Sequence, residues 1–404
     1  MRHRVMLALV VVAAVQSTPA AAQRRDQSDW IELRSANRTV VISDAGEPAA
    51  RELFARIDRV RETISAGLGD LVRDLDEPLL VIAPRDVNGM RELVGDAAKR
   101  NRGLLVAASL PAPYSHHLAV RAGTRESRRD EILMHEYLHR VTQVNVGDAA
   151  AWLDEGLSEF WSTIELHEHG VRVGRELPRH ARILRSQRLI PLRDLMEVSR
   201  GRYDLADGRL ALFYAQSWAL VHYLVTRSAS SKVSYAPSPP GLDSLEKDFQ
   251  SYVRAGRFDA IDLPRFDRVA LIAGEPSVRA LSEAEALALR ASVAVYGETP
   301  GVGLELAERA LRVEPSQPLA LEVKGVYFFL TNRPDEARTW LKAAAEHPLA
   351  TFRAHYYYAV LNTGTPLVAE THLKKALELK PGFQPALLRL RSFTKFHRLC
   401  ACAR

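Results

Sequence analysis

The chain of 404 residues holds only two cysteines, Cys400 and Cys402, both in its final pentapeptide. A fold of this size therefore does not rest on disulfides, and a C-x-C pair bridges poorly because its geometry is strained. Aromatic residues make up 7% of the chain. The locally basic segment from Arg121 to Arg129 has none interleaved, so nucleic-acid binding is not expected. Long hydrophobic runs are also missing. The run from Val5 to Val15 is too short to span a bilayer. It follows Arg2, His3 and Arg4 and precedes Ala20-Ala21-Ala22, so residues 1–22 read as an export leader with an A-x-A cleavage site. Its removal takes away Arg2 and Arg4, and the formal net charge falls from +6 to +4. The rest of the surface mixes both signs. The expected mature protein is exported, periplasmic or extracellular, with no membrane span.

An apolar content of 47% suffices for a sizeable core, and the length suggests two or three domains. Trp30 to Ser43 reads as strand, with Thr39-Val40-Val41-Ile42 at its centre. Glu47 to Leu75 has helical periodicity through Leu53, Ile57, Val60, Ile64 and Leu68. Leu79 to Ile82, bounded by Pro78 and Pro84, suits a buried strand. Leu104 to Ala108 and His117 to Val120 are further strand candidates. Helices are expected from Ser127 or Asp130, from Ala149, and over Leu205 to Val225, with a Ser/Pro/Gly-rich loop over Ser228 to Ser244.

Beyond residue 280 the chain repeats. Ala310-Leu311-Arg312-Val313-Glu314-Pro315 matches Ala376-Leu377-Glu378-Leu379-Lys380-Pro381, and a looser copy ends at Pro348, so the three prolines are 33 residues apart. Each interval holds two helical patterns, such as Pro318 to Leu330 and Pro334 to Glu346, and paired helices at this period mean a solenoid. The expected layout is a leader at 1–22, an α+β domain at 28–227, linker and connecting helices at 228–280, repeats at 281–395 and an irregular tail at 396–404.

The chemistry gathers in His135-Glu136-Tyr137-Leu138-His139. Four residues apart on a helix, the histidines share a face and can direct two imidazoles at one ion. Glu136 beside them can hold a water and take its proton. The apolar flanks Ile132, Leu133, Leu138 and Val141 bury such a helix, and buried histidines need partners. A catalytic zinc site takes three protein ligands. Glu155 and Glu159, four apart on the next helix, can each supply the third or orient a ligand histidine. Spacing alone does not choose between them.

HEYLH followed by WLDEGLSEF resembles the gluzincin metallopeptidases, and within them the compact peptidase MA-like group, with a more distant likeness to aminopeptidase N. That resemblance implies a thermolysin-like domain holding one zinc ion on His135, His139 and Glu155, with Glu136 as general base and Glu159 behind the ligands. Tyr214-Ala215-Gln216-Ser217-Trp218 resembles the aminopeptidase segment whose tyrosine stabilises the oxyanion, which implies that role for Tyr214. Gln216-Ser217 replaces the usual Lys-Gly, as it often does in the MA-like group. The aminopeptidase G-x-M-E-N segment is missing, so an endopeptidase is expected, with an edge strand such as His117 to Val120 pairing a peptide or protein substrate. His116 and His117 are expected in a loop or strand edge and not as ligands. The 33-residue repeats resemble tetratricopeptide repeats, which implies recruitment of a substrate or protein partner. The competing expectation is an interaction protein whose repeats do the work and whose zinc site is vestigial or structural.

Overall fold

A computed structural model of the chain describes residues 27–36, 39–69, 79–95, 105–112, 115–123, 129–147, 149–198, 209–230, 241–264, 275–297 and 300–401. The expected leader, most of the Ser/Pro/Gly-rich loop and Cys402 lie outside them.

The architecture is mixed α+β. Strands β1 (Gln27–Arg34) and β2 (Thr39–Ser43) form an antiparallel hairpin where one strand-like stretch was expected. Helix α1 (Glu47–Leu68) follows and ends at Gly69, short of the expected Leu75. It crosses to β3 (Leu79–Ala83), which lies parallel to β2. Helix α2 (Val87–Val94), capped by Asp86, leads on to the hairpin of β4 (Ala107–Ala112) and β5 (Ser115–Val120). Much later in the chain, β9 (Ser277–Ser282) pairs antiparallel with β1 and completes a six-stranded sheet in the order β4-β5-β3-β2-β1-β9.

Both faces of this sheet are covered, which explains the continuous apolar runs of its inner strands. Val41, Val81, Leu118 and Val120 pack on one face against Phe54, Ile57 and Ile64 of α1. Val40, Ile42, Ile82 and Ala119 pack on the other, against Met90 and Leu93 of α2.

A second layer of helices follows: α3 (Arg129–Val146), α4 (Ala151–Trp161), α5 (Pro178–Ser186), α6 (Leu192–Glu197), α7 (Arg209–Ser230) and α8 (Leu242–Ala255). A small sheet of β6 (Glu165–His167), β7 (Gly170–Val173) and β8 (Ile261–Pro264) accompanies them. Phe160, Phe213, Trp218 and Phe249 are wholly buried in their shared core. The interval expected as linker and connecting helices at 228–280 holds helix α8 and, in addition, β8 and most of β9, which join the small and the six-stranded sheet respectively.

The C-terminal part is a stack of helix pairs: α9 (Glu283–Ala294), α10 (Pro300–Val313), α11 (Pro318–Leu330), α12 (Pro334–Glu346), α13 (Phe352–Leu361), α14 (Pro366–Leu379) and α15 (Gln384–Ala401). Four of them begin on proline, whose fixed φ and missing N–H suit the first helical position. Gly325 is required by packing, since a Cβ there would sit 2.5 Å from Leu341 Cγ. Helix α15 runs through most of the stretch expected as an irregular tail from residue 396.

Helix α9 belongs to two cores. Ala286 and Val293 pack with Trp30 and Leu281 against the sheet, while Leu287, Ala288, Ala291 and Ala294 pack into the solenoid. Five alanines in twelve residues let neighbours approach it from both sides. Ser282 and Glu285 close a reciprocal capping box, so β9 passes into α9 without a connecting loop. Among the described residues, no helix is long and apolar enough to cross a membrane.

Candidate metal centre

Helix α3 lays Leu133, Tyr137, Leu138 and Val141 onto the sheet core, which turns His135 and His139 toward α4. Their side chains are 14% exposed. Their Nε2 atoms lie 3.1 Å apart. Glu155 Oε2, brought in by α4, lies 3.4 Å from His135 Nε2 and 3.6 Å from His139 Nε2. These three residues are the only group of three or more His, Cys, Asp or Glu side chains among the described residues whose donor atoms converge closely enough for one metal ion. Glycine 156 makes the approach possible, because a Cβ there would stand 2.5 Å from the Ser217 carbonyl oxygen of α7. The two helices cross at that point, and Glu155 sits directly beside the crossing.

The donor set fits zinc. Tetrahedral bonds of about 2.0–2.1 Å set neighbouring ligand atoms roughly 3.3 Å apart, and the three observed separations of 3.1, 3.4 and 3.6 Å bracket that value. The outer nitrogens are also engaged. Asp154 Oδ2 lies 3.1 Å and Ser158 Oγ 3.3 Å from His139 Nδ1. A proton on Nδ1, donated to Asp154, leaves the Nε2 lone pair pointing inward. Glu159 Oε1 stands 3.9 Å from His135 Nδ1.

Electrostatics follow from this crowding. Burial opposes charge on both rings, yet the surrounding carboxylates outweigh it. Glu155 and Asp154 push His139 up to about 10, and Glu155 with Glu159 holds His135 above its ordinary value. Without a cation the site attracts protons; with one, those protons must leave. Burial likewise raises the Glu136 carboxyl, against the pull of both histidines. Burial would raise Glu159 too, but His180, His135 and Arg179 hold it far below the usual carboxylate range.

Glu136 Oε2 accepts a 2.6 Å hydrogen bond from the Ser109 backbone N–H. That contact identifies the strand next to the site as β4, at the sheet edge. The expected docking strand, His117 to Val120, is instead β5, an interior strand held between β3 and β4. Arg121 N–H donates to Val106 O in this hairpin, so by alternation Ala107, Ser109 and Pro111 direct their backbone groups away from β5. Proline is tolerated at such a position because no ladder bond needs its N–H. The strand therefore continues past Ala108, where it was expected to stop.

Tyr214 is half-buried on α7, one helical turn before Ser217 at the α4 crossing. Gln216, expected only as a substitute for lysine, clamps the Ile190 backbone: its amide accepts from Ile190 N at 2.8 Å and donates to Ile190 O at 2.6 Å. The structure thus brings His135, His139 and Glu155 together, sets Glu136 and Glu159 beside them, and places Tyr214 on the adjoining helix. Sequence reasoning missed Asp154, Ser158, Arg179, His180 and the Ser109 amide. Asp154 was readable, as an acidic neighbour of Glu155; the others carry no spacing signal. No protein-family profile, curated protein or solved structure matches the chain.

Proposed function

We propose that this chain is an exported zinc-dependent peptidase, probing extended peptide with the β4 edge and cleaving it at the His135/His139/Glu155 centre. The observation that carries the proposal is the convergence of three donor atoms at 3.1–3.6 Å beside a buried carboxylate. A structural zinc takes four protein ligands; three leave a position for water. The likeness of HEYLH and WLDEG to gluzincins of the MA-like group and to a thermolysin-like domain agrees with this arrangement.

His135, His139 and Glu155 would hold the ion, which when bound supplies a Lewis acid and a water acidified to near neutrality. Glu136 takes the proton of the attacking water and returns it to the leaving amine nitrogen. A buried carboxyl with a raised pKa suits that exchange. Asp154 and Ser158 fix the His139 tautomer, and Glu159 biases that of His135. β4, at the sheet edge beside the site, is the strand assigned to pair with extended substrate. Tyr214 is assigned to the oxyanion, worth about 3 kcal/mol if it donates there. The solenoid recruits the substrate or a protein partner.

Full-length protein with zinc, incubated with a peptide library, tests this. Glu136→Gln should retain its zinc and lose about 10²–10⁴-fold in cleavage rate. Equal cleavage by that variant, or none by a zinc-loaded wild type, would overturn the assignment.

A further inference from the structure

Glu159 stands behind His135, and the fold gives this carboxylate a support of its own. Pro178 opens α5, and the next two residues reach Glu159 together. Arg179 Nη2 donates to Glu159 Oε2 at 2.6 Å, and His180 Nε2 lies 3.3 Å from the same oxygen. The other arm of Arg179, Nη1, donates to Glu131 in the first turn of α3. One guanidinium thus ties the last turn of α4 to the first turn of α3, the helix that carries both histidines.

We propose that Arg179 is a positioning residue for the metal centre. By filling Glu159 Oε2, it leaves Oε1 turned to His135 Nδ1, at 3.9 Å. The proposal rests on the metal reading given above. Three observations support it. The Glu159 side chain is only 7% exposed, and a buried carboxylate needs a cation close by. Arg179 bonds two carboxylates from two helices, which a planar guanidinium can do and an ammonium on a flexible stem does poorly. His180, itself buried against Trp218 with ring centroids 5.7 Å apart, holds the same Glu159 oxygen from a rigid place on α5. Arg179 keeps 31% of its side chain exposed, so a small solute can reach its place.

The test uses metal-free full-length protein titrated with zinc against a chromophoric chelator, which needs no catalysis. Arg179→Ala should bind zinc about 10–100-fold more weakly, as removal of a group behind a ligand typically does. Arg179→Lys should fall between it and wild type. Guanidinium ion at low millimolar concentration should restore part of the affinity of Arg179→Ala and leave wild type unchanged; a clamp acting only on stability would show no such rescue. In peptide cleavage, kcat should fall while KM stays near the wild-type value. Zinc affinity of Arg179→Ala within twofold of wild type would overturn the inference while leaving the metal reading intact; a wild type that binds no zinc would defeat that reading itself. If Arg179→Ala does not fold, Arg179→Lys decides: wild-type zinc affinity in it overturns the proposal, and a severalfold loss sustains it.

Discussion

Two pairs of histidines lie at hydrogen-bond distance among the described residues, and they are opposites. In the α+β body, His135 and His139 stand with Nε2 atoms 3.1 Å apart, ringed by Glu155, Asp154, Glu159 and Glu136. In the solenoid, His355 of α13 and His372 of α14 have Nδ1 atoms 2.9 Å apart. Their neighbours are Tyr358, Lys375 and, at His372, Glu346. Burial, then His372 and Lys375, bring His355 down to about 4, and burial with Lys375 lowers His372. Proximity of two imidazoles is thus common to both. The carboxylates decide whether the pair seeks a cation or settles into a neutral hydrogen bond.

The strongest way to break this comparison is metal stoichiometry. His139→Ala should reduce zinc from about one per chain to none by elemental analysis, whereas His355→Ala should leave it unchanged. Zinc retained by the first variant and lost by the second would reverse the two roles.

Acidity gives a smaller but opposite response in the two halves. A histidine whose pKa falls on folding contributes stability above its unfolded value, near 6.5, and loses it as pH drops through the folded value. For His355 that window runs from about 6.5 down to about 4, with a loss of about 1–2 kcal/mol once solvent screening is allowed for. In metal-free protein His139 is raised, so its contribution is complete below about 6.5 and disappears as pH rises through about 10. Hydrogen exchange followed separately in α13–α14 and α3–α4 should show the two slopes with opposite sign. Parallel slopes would mean that the carboxylates do not govern the difference.

The smallest effect sharpens the cause. Lys375→Glu should move the His372 titration upward by less than about one pH unit, read by NMR. No movement would remove Lys375 as a source of the solenoid pair's low basicity.

Local patterns made part of this legible in the sequence. HEYLH and WLDEG declare themselves because four-residue spacing on a helix sets side chains together, and the solenoid because its prolines recur. Pro318–Leu330 and Pro334–Glu346 fall where the periodicity put them. What stayed hidden depends on chain segments far apart. Arg179 and His180 meet Glu159 only because α5 packs beside α7 and α4. Strand β9 was lost in the supposed linker because Ser277-Val278-Arg279-Ala280-Leu281-Ser282 is short and mostly exposed, with Leu281 as its one fully buried hydrophobe. The strand candidate Leu104 to Ala108 stopped short of Pro111, which at an edge costs no ladder bond.

The place of β9 bears on how the protein comes into being. Ser28 bonds the Leu281 carbonyl across 253 residues of chain, and Glu32 on β1 pairs with Arg279 on β9. Strand β1 therefore waits, unpartnered on one side, until the chain has grown by 253 residues from Ser28 to Leu281. Local helices can form at once, but closing so long a loop is slow, and an open strand edge in the meantime invites wrong pairing. The α+β body thus reaches its final form only after β9 has been made, and its birth is timed by a segment at the sheet edge opposite β4 and the candidate metal centre.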